Sequence, residues 1–277
     1  MVHPLANSAL LFSASKSRES TASVSPRSKR VQRSLMESSI AKKAPPLDTG
    51  RTLVVMAKAP RLGLVKTRLA QSLPVEAVTE LYRCLLDDTM MLARSLRTVD
   101  VAIMCPASDV EELTRLAHGA VVVAQKGEGL AAGLTSVFAH FTAPGRQRVV
   151  AFNSDSPHLP ASVLESAFEA LTGHDLVVGP THDGGYYLVG AKTAHPTLFD
   201  GDGMGTKSAL EALLARAHGK QLSIASTESF YDIDVESDLA RLAEELRLTP
   251  ARAPRTAVWL KHWGRTLAQL RTAMGNL

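Results

Sequence analysis

Four stretches of this sequence gather residue types that could do phosphate or metal chemistry. The first, MAKAPRLGLVKTRL (56–69), places four cations, Lys58, Arg61, Lys66 and Arg68, in and just beyond a loop with Pro60 and Gly63. Backbone N–H groups and cations ahead of a helix-starting segment suit a pyrophosphate. The pattern is not a P-loop, which needs glycine where this chain has Pro60 and Val65. The second, AFNSDSPHLP (151–160), sets Asp155 just past an apolar run and before Pro157 and Pro160. A carboxylate so placed suits Mg²⁺ (or Mn²⁺), which takes one or two carboxylates and shares substrate phosphates. In the third, GPTHDGGYYLVG (179–190), Gly184 and Gly185 fit either a plain hairpin or a close backbone approach to a ligand, with Asp183 and Tyr186 at the border. The fourth, FYDIDVESDLARL (230–242), carries Asp232 and Asp234, read on a short strand with only one of them facing the site.

Asp155 and Asp234 together could hold a cation between pyrophosphate oxygens, with Lys66 balancing charge that develops on the phosphates. No nucleophile sits beside a base, and the nine histidines show no metal-ligand spacing. A general hydrolase is therefore disfavoured.

These residues need a scaffold. TLVVMA (52–57), VDVAIMC (99–105), AVVVA (120–124), RVVAF (148–152) and DLVVGP (175–180) are short apolar, β-branched runs, predicted as buried strands, and YYLVG returns as another. Between them, residues 75–97 show helical spacing through Val78, Leu81, Leu85, Leu86, Met90 and Leu92. Further helices are predicted from Asp109 to His118 with Ser108 as N-cap, from Leu130 to Phe141, and from Pro160 to Leu171. Strands alternating with helices predict an α/β fold, a mostly parallel sheet covered on both faces. In such sheets ligands bind beyond the carboxyl ends of the strands, where the first two clusters fall. Residues 255–275 read as an amphipathic helix, with Val258, Leu260, Trp263, Leu267 and Leu270, packed on the domain.

Charge is divided unevenly. Residues 1–50 hold eight Lys/Arg and three acids, a net of +5, and the remainder holds 23 Lys/Arg and 24 acids, a net of −1. The near-neutral body gives no electrostatic case for nucleic acid. The Ser-rich, basic leader is predicted as a disordered segment, with organelle import as the alternative to a cytoplasmic protein. No apolar run approaches the ~20 residues of a membrane span. Cys84 and Cys105 are isolated, which points to structural thiols in a reducing compartment. The expected organisation is a leader (1–50), a transferase domain (51–250) and a C-terminal helix (251–277).

The four clusters, in this order, resemble the radical-SAM and selenodomain-associated transferase family 1, which is similar to 2-phospho-L-lactate guanylyltransferase and molybdenum cofactor guanylyltransferase. The likeness spans roughly residues 52–245. It implies a single GT-A (nucleotide-diphospho-sugar transferase) domain and nucleotide contacts from Ala57, Lys58, Arg61, Gly63, Lys66, Arg68 and Gln125. It also implies acceptor contacts from Asp183, Gly184, Gly185, Tyr186 and Thr206, metal ligation by Asp155 and Asp234, and catalytic roles for Lys66 and Asp155. The sequence departs from the family pattern at Gly129, Ala131 and Gly133, where Asp, Gly and Arg are usual, at Asn153 (usually Gly) and at Met204 (usually Trp). The expected activity is metal-dependent nucleotidyl transfer from a nucleotide donor to a small phosphorylated or carboxylated acceptor. A glycosyltransferase using a nucleotide sugar and a non-catalytic nucleotide-binding protein are the alternatives.

Overall fold

A computed structural model describes residues 50–142, 148–200 and 208–275, with side chains to residue 264. The leader and the segment holding Met204 and Thr206 lie outside the described residues. The elements run β1 (Arg51–Met56), α1 (Val75–Ser95), β2 (Asp100–Cys105), α2 (Val110–Leu116), β3 (Val121–Ala124), α3 (Gly129–Phe141) and β4 (Arg148–Asn153). They continue with α4 (Ala161–Gly173), β5 (Leu176–Pro180), β6 (Tyr186–Ala191), α5 (Ala209–Gly219), β7 (Ile224–Ser226), α6 (Glu236–Leu248) and α7 (Pro254–Gly275).

The strands form one seven-stranded sheet in the order β3-β2-β1-β4-β6-β5-β7. The pairs β1/β2, β1/β4, β2/β3 and β5/β7 are parallel, and β6 alone runs against its neighbours β4 and β5. Alternation along β1 fixes which side each residue serves. Leu53 and Val55 pack with α1, α2 and α4 residues such as Met90, Leu113 and Phe168. Val54 points the other way, to Val137 and Phe138 of α3 and Leu213 of α5. Leu53, Val54 and Val55 are each fully buried, worth roughly 1.5–3 kcal/mol apiece. A central strand covered on both faces has no polar side, hence its continuous apolar run. The fold class is thus the expected α/β arrangement, with helices on both faces of a mostly parallel sheet.

A third cluster joins Leu69, Leu81 and Leu85 to Ile233, Leu242 and Trp259, so α6 and α7 are held against α1. Asp88 of α1 is fully buried. It accepts from the backbone N–H of Arg255 (3.2 Å) and from both the N–H and the hydroxyl of Thr256 (2.8 Å each), capping α7 from outside its own chain segment.

Several local expectations change. Residues 107–109 form a 3-10 turn and α2 begins at Val110, with no side-chain cap from Ser108. The Ser108 hydroxyl donates to Asp109 instead, because that carboxylate is drawn to the Ala59 N–H and to Arg61. Trp259 rather than Val258 is the inward residue at the start of α7; Val258 is 71% exposed. Cys105 is buried but Cys84 only half-buried, and both are free thiols. Burial, followed by nearby acids, pushes each up to about 11, so neither is a ready nucleophile. Among the described residues no helix is long and apolar enough to cross a membrane.

Candidate active site

The chain runs from β1 to β2 and β3 on one side, then returns to place β4 on the other side of β1. That reversal opens a crevice at the carboxyl ends of β1 and β4. Met56 and Asn153, the last residues of the two strands, are register partners, so the loops that leave them both border the opening. The opening is a cavity of about 1160 Å³, lined among others by Ala57, Lys58, Lys66, Arg68, Gln125, Asp155, Asp183, Gly185, Tyr186, Asp232 and Asp234.

At its floor, Lys66 Nζ lies 2.8 Å from Asp155 Oδ2 and 3.0 Å from Asp234 Oδ1, its side chain only 5% exposed. Burial alone would lower the ammonium's pKa; the charges of Asp155 and Asp234 outweigh it and hold the pKa above the ordinary lysine value. The Lys66 backbone is left-handed (φ 48°), which costs a non-glycine residue on the order of 1 kcal/mol or more. Arg68 approaches the other Asp234 oxygen at 3.4 Å from an exposed position.

Tyr82 of α1 buttresses this arrangement. Its hydroxyl accepts from the Lys58 N–H (3.0 Å) and lies 3.1 Å from Ser154 Oγ, linking the loop after β1 to the loop after β4. Burial, then the Asp155 charge, pushes this phenol up to about 12, so it stays neutral. Thr89 donates to the Ser154 carbonyl at 3.2 Å.

Both acids of the 232–234 segment line the cavity, against the expectation that only one would. The segment is not a ladder strand, and residues two apart in extended chain project to the same side. Asp232, read from the sequence beside Asp234 but not placed in the expected metal pair, is held within the site. It accepts from Asn153 Nδ2 at 2.8 Å and from Ser156 Oγ at 3.3 Å. Burial first, and then the charge of Asp155, raises its pKa to about 7. The Asp-x-Asp spacing was the available signal.

Other candidates fall elsewhere. Arg61 does not line the cavity. It bonds Asp109 (2.8 Å), Glu112 (2.9 Å) and the Ser108 carbonyl (2.9 Å), tying the loop to α2. Gly63 supplies a left-handed turn (φ 73°) outside the lining. Gln125 reaches the lining but donates its amide to the Gly127 and Gly129 carbonyls. The 181–185 segment is the turn of the β5–β6 hairpin. Asp183 accepts from Thr181 Oγ1 (2.6 Å) and Gly185 N–H (3.2 Å), which lowers its pKa. Gly184 takes φ 91° and Tyr186 begins β6. A Cβ on Gly133 would lie 2.8 Å from both Gln125 Oε1 and the Met56 methyl, so an arginine there would have to displace both.

The donor set fits a divalent ion, because one oxygen from each of Asp155 and Asp234 already converges on a single cation, the Lys66 ammonium. Among the described residues no three His, Cys, Asp or Glu side chains form a ready metal cage. Asp155 and Asp234 supply two carboxylates, a number that Mg²⁺ takes alongside substrate phosphates.

Comparison with known proteins bears on this geometry. Residues 89–206 match a family described as uncharacterized proteins conserved in bacteria (DUF2064). No curated protein matches the chain. A Desulfovibrio desulfuricans G20 structure, described as that of a candidate nucleotide-diphospho-sugar transferase, is 25% identical. It covers 79% of this chain and 97% of its own, with a TM-score of 0.73. The 4-diphosphocytidyl-2C-methyl-D-erythritol synthase of Anaerococcus prevotii DSM 20548 is 10% identical and covers 73% of this chain and 98% of its own, with a TM-score of 0.50. The strand order, the crevice beside β1 and these likenesses agree: the protein has the nucleotide-diphospho-sugar transferase fold.

Proposed function

We propose that the protein is a metal-dependent nucleotidyltransferase. The observation that carries this reading is the convergence of Lys66, Asp155 and Asp234 on one point at the floor of a large crevice, beyond the ends of parallel strands. The motif resemblance to the radical-SAM and selenodomain-associated transferase family 1 supports it. Asp155 and Asp234 would hold Mg²⁺ or Mn²⁺, and the ion when bound would neutralise charge on the phosphates. Lys66, in reach of both acids, would follow the polyphosphate and balance charge as the reaction proceeds. An acceptor oxygen would attack the α-phosphorus while the bond to pyrophosphate breaks, a displacement that needs mainly positioning and charge balance. Asp183, Gly185 and Tyr186, at the hairpin edge of the cavity, would face the acceptor.

A nucleotide-sugar transferase is the second reading, favoured by the description of the Desulfovibrio structure. The acids argue for the first. Asp155 stands alone in Ser-Asp-Ser-Pro, and its partner Asp234 comes from a distant segment, so the pair grips from two sides. Incubating the full-length protein with each NTP, Mg²⁺ and a panel of phosphorylated and carboxylated acceptors tests this. Acceptor-dependent pyrophosphate release supports nucleotidyl transfer. Release of a nucleoside diphosphate from a nucleotide sugar, with no pyrophosphate from any NTP, supports the second reading instead.

A further inference from the structure

All four carboxylate oxygens of the proposed metal pair already have donors. Lys66 Nζ takes Asp155 Oδ2 at 2.8 Å and Asp234 Oδ1 at 3.0 Å. Ser154 Oγ lies 3.3 Å from Asp155 Oδ1, and Arg68 lies 3.4 Å from Asp234 Oδ2. The donors are unequal. Serine is neutral and Arg68 is 62% exposed and long in reach, whereas the ammonium is enclosed and close to both acids. The backbone reinforces the grip, because a left-handed lysine persists only where its surroundings hold it there.

We infer that Lys66 is a latch on the metal site, so that a divalent cation enters with or after the polyphosphate and not before it. This rests on the proposed role of Asp155 and Asp234 in metal binding. Magnesium–oxygen bonds are about 2.1 Å. An ion taking either oxygen that now faces Lys66 would compete with the ammonium for it, and repulsion between two cations on the same carboxylates would oppose its entry. Ion and ammonium therefore compete for the same oxygens, and the lysine must give them up for the ion to take them. A polyphosphate supplies what moves it, since phosphate oxygens accept charge-assisted bonds from an ammonium. Once Lys66 turns to the phosphates, the two carboxylates lose the cation they share and would need another. Phosphate oxygens would share an ion held there. The coupling is reciprocal: if nucleotide strengthens metal binding, metal strengthens nucleotide binding by the same factor.

The test is Mn²⁺ binding to the full-length, nucleotide-free protein, read from the electron paramagnetic resonance signal of free Mn²⁺ at fixed pH. Wild type is expected to show no saturable site below about 1 mM, and Lys66→Met to bind at least tenfold more tightly, a gain of about 1.4 kcal/mol. Lys126→Met, which removes an exposed cation of equal charge, should stay within about twofold of wild type. Should Lys66→Met not fold, Lys66→Gln takes its place, and the wild-type measurement stands by itself. Sub-millimolar Mn²⁺ binding by nucleotide-free wild type overturns the latch. So does a folded Lys66 variant that binds no better than wild type. The two ideas fail separately. If Mg²⁺ strengthens nucleotide binding to wild type while Lys66→Met gains nothing, only the latch falls; if neither effect is seen, the metal reading falls with it.

Discussion

Lys66 and Asp234 stand 168 positions apart in the chain, yet Nζ of one lies 3.0 Å from Oδ1 of the other. The contact joins the loop after β1 to the segment before α6 and, through Asp155, to the loop after β4. Three distant pieces of sequence therefore meet at one cation, the convergence on which the proposed nucleotidyl transfer rests.

Asp155→Asn keeps the shape of the side chain and removes its charge. With Mg²⁺ present, nucleotide affinity should fall at least tenfold, while affinity in EDTA should change little. Isothermal titration calorimetry under both conditions reads the difference. An unchanged Mg²⁺ dependence would remove Asp155 from the metal site.

Arg61 gives the opposite expectation. It bonds Asp109 and Glu112 and stays out of the cavity. It is partly exposed, so Arg61→Ala should cost about 1 kcal/mol of stability or less and leave nucleotide affinity within about twofold. A loss of binding comparable to that of Asp155→Asn would restore Arg61 as a phosphate ligand.

Asp88 should matter to the attachment of α7. Asp88→Ala leaves the N–H groups of Arg255 and Thr256 without their acceptor, at a cost of roughly 2 kcal/mol. Limited proteolysis should then cut near residues 249–254 before the rest of residues 51–250. Cleavage kinetics equal to wild type would show that the apolar contacts of Trp259 hold the helix without the cap.

His158 predicts acid sensitivity. It is 2% exposed, and neither ring nitrogen has a hydrogen-bond partner among the described residues. Burial lowers its pKa from 6.5 to about 4. The unfolded chain then binds a proton that the folded one refuses. Stability should be intact above about pH 6.5, fall as the pH drops toward 4, and lose no more from this group below that. The full loss is roughly 3 kcal/mol. His158→Phe should flatten the melting temperature between those pH values. A profile as steep as wild type would place the acid sensitivity elsewhere.

The central sheet was legible because its strands are buried on both faces and read as unbroken apolar runs. Leu53 to Val55 and Val149 to Phe152 are such runs, all fully buried or nearly so. The helix over 75–97 showed its stripe for the same reason: Val78, Leu81, Leu85, Leu86, Met90 and Leu92 all face the core. The edge strand β7 has only three residues, none fully buried, and gives periodicity little to register. The Ser108 cap failed because a tertiary pull, from Ala59 and Arg61, outweighed a local preference. Arg61 and Lys66 are equivalent as cations in one loop; only the three-dimensional positions of Asp109 and Asp155 tell them apart. Asp232 and Asp234 look alike in sequence; the bonds that single out Asp232 come from Asn153 and Ser156, 79 and 76 positions away.

The most direct measurement is thermal denaturation of the full-length protein with each NTP and common nucleotide sugars, with Mg²⁺ and with EDTA. An NTP at ~100 times its dissociation constant should add roughly 2.7 kcal/mol of stability. The nucleotidyltransferase account predicts that shift with at least one NTP in Mg²⁺, and its collapse in EDTA. A stabilisation that is indifferent to EDTA, or one produced by nucleotide sugars and by no NTP, would contradict it.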